Sequence, residues 1–127
     1  MAMSPEFRDH LLDLLAPLGP VRAERMFGGG GLYLDGTMFA IVADDVLYLK
    51  ADDGNRGDFE ARGLPPFRYS RGGREFALSY HEAPPDLLDD ADDLAAWARK
   101  AWEAARRSGT GGKKNRRKAK KRKARQA

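Results

Sequence analysis

The chain has 127 residues, 42% of them hydrophobic and 9% aromatic, with no cysteine and a formal net charge of +4. That length allows one domain of about 100 residues with a single core, and the apolar share excludes a wholly disordered chain. Without cysteine, disulfides, thiolate metal sites and cysteine nucleophiles are excluded, and no apolar run approaches the ~20 residues that span a bilayer.

A helix is predicted first. Ser4 is a suitable N-cap, Pro5 fits the first helical position and Glu6 favours the positive helix start. Phe7, Leu11, Leu14, Leu15 and Leu18 share one face, and Gly19-Pro20 stops the pattern. From Val21 the period changes to that of strands, at about 21–26, 31–34, 37–43 and 46–51, separated by glycines, Asp35-Gly36 and Asp44-Asp45. Asp-Gly between two apolar runs predicts a hairpin, because both turn positions need positive φ. A short helix at about 55–62 closes at Gly63. Pro65 and Pro66 then lead into a second hairpin, Phe67–Arg71 and Arg74–His81, across Gly72-Gly73. Ala83-Pro84-Pro85 breaks the chain. The last helix is predicted at about 90–107, with Leu94, Trp97, Ala98, Ala101, Trp102 and Ala105 on one face against the sheet. Its start is crowded with aspartates and its end carries Arg106 and Arg107, both favourable to the helix dipole.

The charge divides sharply. Residues 1–107 hold all 19 acidic groups and 13 of the 23 Lys and Arg residues, so they are net negative, whereas Ser108 onward holds ten cations and no anion. Gly109, Gly111 and Gly112 form a flexible joint, and 113–126 offer nothing larger than alanine to a core. The expectation is a disordered tail at 108–127, able to become helical on a polyanion.

The stretch Arg25-Met26-Phe27-Gly28-Gly29-Gly30-Gly31-Leu32-Tyr33 resembles the hallmark of the TfoX/Sxy N-terminal domain family. Asp35-Gly36 with Met38-Phe39-Ala40, then Leu47-Tyr48-Leu49-Lys50, agree in order. Phe59, Gly63, Pro66, Phe67 and Tyr69 match the middle of the family pattern, as do Ser79-Tyr80 with Pro84, and Trp97-Ala98 with the alanine-rich helix to Arg107. The resemblance covers about 4–107 and places the domain at 1–107. It implies an α+β fold of two layers, similar to the secretion-chaperone-like arrangement. An antiparallel sheet of five to six strands would be covered by helices in the order α-β(3-4)-α-β(2)-α. Named members of the family regulate natural competence with the cyclic-AMP receptor protein and are not enzymes. They carry a second, helical C-terminal domain, whose place the basic tail takes here.

No residue constellation points to catalysis, a metal or a cofactor. Gly28 to Gly31 lead into a strand and not a helix N-terminus, and no Gly-Lys-Ser/Thr follows, so a tight bend or bulge, where side chains would clash, is expected there rather than a phosphate cradle. His10 and His81 lack ligand spacing, and Ser79 has neither a glycine elbow nor a histidine base in its context. The aspartate clusters sit at turns and helix starts. Tyr33, Tyr48, Tyr69 and Tyr80 alternate on strands as core-edge aromatics, although Arg25, Lys50, Arg68, Arg71 and Arg74 would make a single-strand platform if they shared their face.

The tail carries the sharpest functional signal. Lys113, Lys114, Arg116, Arg117, Lys118, Lys120, Lys121, Arg122, Lys123 and Arg125 are expected to meet the phosphates of DNA or RNA. The leading expectation is a cytoplasmic, non-enzymatic nucleic-acid-associated protein, near the nucleoid or ribosome, with a protein partner or self-association at the folded domain. The alternative is a protein-interaction module or transcriptional co-regulator that acts through the domain alone.

Overall fold

Ser4 opens the first helix in the predicted way: its hydroxyl accepts the Phe7 N–H at 3.1 Å, Pro5 follows, and α1 runs Pro5–Leu14. The computed structural model describes residues 3–26 and 29–108. The sequence pattern extends the helix to Leu18, but the helix ends a turn earlier. Pro17 has no N–H to give Asp13 and disfavours helical φ/ψ at Ala16, so the chain tightens through bonds from Ala16 N to Asp13 O and from Leu18 N to Leu15 O. Leu15 and Leu18 remain buried, so the apolar face outlasts the helix.

Four strands follow: β1 (Arg22–Met26), β2 (Gly29–Leu34), β3 (Thr37–Ala43) and β4 (Val46–Lys50). The turns joining the last three carry the positive φ that two-residue hairpin loops require: 53° and 77° at Asp35-Gly36, 56° and 55° at Asp44-Asp45. Two aspartates in the left-handed region are uncommon, and Asp45 is held there by accepting the Ser4 N–H at 2.8 Å. After α2 (Arg56–Glu60), β5 (Pro66–Arg71) and β6 (Arg74–Glu82) turn across Gly72-Gly73, again with both φ positive. The Pro84-Pro85 break proves to start a 3-10 turn, Pro85–Asp89, whose Leu87 is buried. Then α3 runs Ala91–Ser108, with the Asp90 carboxylate accepting the Asp93 N–H.

The sheet has six strands, all antiparallel, in the order β1-β2-β3-β4-β6-β5. Register assigns the faces. Leu32 pairs with Ala40, Ala40 with Leu49, Val42 with Leu47 and Leu49 with His81, so these side chains share one face. They form one core cluster with Leu11 and Leu15, Phe59 of α2, Leu87, and Leu94, Ala98, Ala101 and Ala105 of α3. The helices therefore lie on a single face, giving the two-layer α+β arrangement. Fully buried alanines at 98, 101 and 105 let α3 lie close over β3 and β4. Of the two tryptophans expected against the sheet, Trp102 donates its ring N–H to Leu34 O at 3.0 Å, while Trp97 meets Phe59 edge-on.

The end of α3 is tied to the β4–α2 turn. Arg107 grips Asp52 in a two-pronged ion pair (2.8 and 2.9 Å), and Asp52 also accepts the Gly54 N–H. Buried Asn55 accepts from Asp52 N and donates to Lys50 O. The last turn of α3 is thus fixed beside the C-terminal end of β4.

Candidate interaction surface

On the sheet, a face that no described helix covers is the surface most suited to binding. Tyr33 pairs with Met38, Ile41 with Tyr48, Tyr48 with Glu82 and Lys50 with Tyr80, so alternation puts all of these opposite the helices. Tyr33, Met38, Ile41 and Tyr48 are half-buried by one another and partly open to solvent. Phe67 packs edge-on against Tyr48, with ring centroids 4.9 Å apart. The face is largely aromatic and aliphatic, with few charges.

Those charges are individually placed. Arg22 lies over the Tyr33 ring at 4.9 Å and pairs with Glu24 at 2.8 Å. Lys50 lays its amine 5.2 Å from the centre of the Tyr80 ring and is only 8% exposed. Burial pulls its pKa below the usual lysine range, against a smaller upward pull from Asp52. The Tyr80 hydroxyl is pushed up to about 12, mainly by burial and further by neighbouring Tyr33. Tyr48 is raised by burial first, then by Glu82 and Asp44.

The five cations named as a possible platform do not assemble. Arg25 lies on edge strand β1, where it pairs with Gly30 on the helix-covered alternation, and Arg68 lies on the opposite edge, β5. Five strand spacings, ~24 Å, separate those edges. Lys50 joins Tyr33, Tyr48 and Tyr80 on the uncovered face, Arg74 has its own partner, and the side chains of Arg71 and Tyr69 lie outside the described ones. Arg22, which the sequence reading passed over, belongs to the face because it sits opposite Tyr33.

Close packing accounts for the described glycines of the hallmark. A Cβ on Gly29 would overlap the backbone carbonyl of Val42, and one on Gly30 would meet the end of Met3. Both glycines lie inside β2 in regular register with its neighbours, and not in the expected bend or bulge, with no helix after them. The histidines are engaged with backbone: His10 Nε2 donates to Leu88 O and His81 Nδ1 to Leu64 O, both at 2.9 Å, and the His81 ring packs on Phe59. Among the described residues no three His, Asp or Glu side chains gather as metal ligands. The ten tail cations, Lys113 to Arg125, lie outside the described residues.

The chain matches the model of the TfoX N-terminal domain over residues 13–105. It belongs to the TfoX N-terminal domain family. A curated relative, protein Sxy of Escherichia coli (strain K12), is 29% identical over 94 residues, which are 73% of this chain and 44% of that protein. The chain thus spans less than half the length of the curated relative it matches. The family match ends within α3, before the basic segment begins. No described helix is long and apolar enough to cross a membrane.

Proposed function

We propose that this chain is a non-enzymatic, nucleic-acid-associated regulatory protein, in which the folded domain meets a protein partner and the Lys/Arg tail holds the complex to DNA or RNA in the cytoplasm. The observation that carries this reading is the charge division: ten cations and no anion after Arg107, on a domain that is itself net negative. Dense positive charge attracts phosphate backbones whatever their sequence. Membership in a family whose named regulators act beside a DNA-binding protein supports the regulatory part. Fixing of the α3 end by Arg107 and Asp52 supports a tail that leaves from one defined place.

A second reading is favoured by the uncovered aromatic face of the sheet: a protein-interaction module, or transcriptional co-regulator, for which the tail only improves retention near nucleic acid. Fluorescence anisotropy with labelled duplex DNA and RNA separates the two. The full chain is compared with a variant in which the ten tail cations are glutamine. Under the leading reading the full chain binds both duplexes and the variant loses binding. Equal affinities for the two proteins would remove the tail from the account and leave the domain alone.

A further inference from the structure

Lys50, Tyr33 and Tyr80 come together from three strands. Lys50 is at the end of β4, Tyr80 is its direct partner on β6, and Tyr33 reaches across from β2 closely enough to perturb Tyr80 electrostatically. The sequence spreads these residues over nearly fifty positions, and only the placement of β6 beside β4 unites them.

The three polar tips are all hydrogen-bond donors, and among the described residues none of the three has an acceptor. Lys50 and Tyr80 keep 8% and 6% of their surface exposed and Tyr33 keeps more, so the cluster can be reached from solvent. Two of the nearby carboxylates are bonded elsewhere: Asp52 is gripped by Arg107 and the Gly54 N–H, although its charge still favours the ammonium, and Glu24 pairs with Arg22. Glu82 lies on the same face, opposite Tyr48. A buried ammonium over one ring face recovers only part of its lost hydration. Its full compensation would be an anion that accepts from it and from the hydroxyls beside it.

We propose that Lys50, with the hydroxyls of Tyr33 and Tyr80, forms a binding site for an oxyanion on the uncovered face of the sheet. Oxygen acceptors suit an ammonium flanked by two hydroxyls that can each turn a proton outward, and a metal ion is repelled by the ammonium. Binding restores the charged form that burial disfavours, so it strengthens the amine's hold on its proton. The site is separate from the tail and does not depend on the tail's role.

The test follows the full chain by NMR, with ¹³C-labelled lysine and tyrosine, during titration with inorganic phosphate and separately with acetate. The Lys50 side-chain signal and the Tyr33 and Tyr80 ring signals should move together and saturate. Phosphate alone, acetate alone or both giving this response defines the oxyanion and supports the site. Lys50→Met should abolish the two tyrosine responses while tail lysines still respond to phosphate. Tyr80→Phe keeps the ring under the amine but loses a donor, so binding should weaken about threefold to tenfold even if the lysine variant folds poorly. A Lys50 signal that stays still while tail lysines saturate would overturn the proposal. So would unchanged affinity in both Tyr33→Phe and Tyr80→Phe.

Discussion

Gly29 and Gly30 are neighbours in one strand, yet alanine at the two positions should have very different effects. At Gly29 the new methyl would run into the carbonyl oxygen of Val42, a backbone atom of β3, itself paired on both sides. That oxygen cannot retreat without pulling β3 away from β2 or β4. Overpacking against an immobile neighbour costs about 2 kcal/mol, which for a domain of this size is ~8–16 °C in Tm. At Gly30 the methyl would meet the sulfur and terminal carbon of Met3, the flexible end of a side chain near the chain start, with Glu24 O the next contact at 3.2 Å on edge strand β1. Met3 can swing aside. Its lost burial is offset by the roughly 0.5–1 kcal/mol that alanine gains over glycine in a strand, leaving the net change within about 1 kcal/mol of zero. Urea unfolding followed by tryptophan fluorescence, with thermal melts by circular dichroism, measures both. Gly30→Ala as damaging as Gly29→Ala, or Gly29→Ala without cost, would refute the packing account of the hallmark glycines.

Other expectations follow from the core and its ion pair. Phe59→Ala removes a fully buried ring that touches His81 and Trp97, and should cost about 3–5 kcal/mol in chemical denaturation. Asp52→Asn should cost about 0.5–1 kcal/mol at neutral pH, since Arg107 is half-exposed and solvent screens the pair. The hydrogen bonds from Arg107 hold the Asp52 carboxyl below its ordinary range, so this stabilisation is complete above the unfolded value of about 3.9 and is lost as pH falls through the lower folded value. Melting curves of wild type and Asp52→Asn should accordingly converge below about pH 4, and a constant gap between them would count against the pair.

Local rules made much of the fold legible. Asp35-Gly36 and Gly72-Gly73 announced their turns because so few residues accept positive φ, and the apolar stripe of α3 placed the helix to within a residue or so. Two differences trace to prolines, and a third to the glycines that hide the start of β2 at Gly29. Pro17 shortened α1 without exposing Leu18, and Pro84-Pro85 looked like a simple break but opened a 3-10 turn. Strand order was beyond local rules. That β4 pairs with β6 depends on a contact across α2 and β5, and no periodicity encodes it. Charge alone groups Lys50 with Arg25 and Arg68, whereas side of the sheet sets it beside Tyr33 and Tyr80.

The central claim, that the tail binds nucleic acid through phosphate contacts, is tested most directly by the salt dependence of duplex binding. If six to ten of the tail cations meet phosphates, log K for the full chain should fall linearly against log salt with a slope of roughly −5 to −9. A slope near zero, or no binding at moderate salt, would contradict it and turn attention to protein partners of the folded domain.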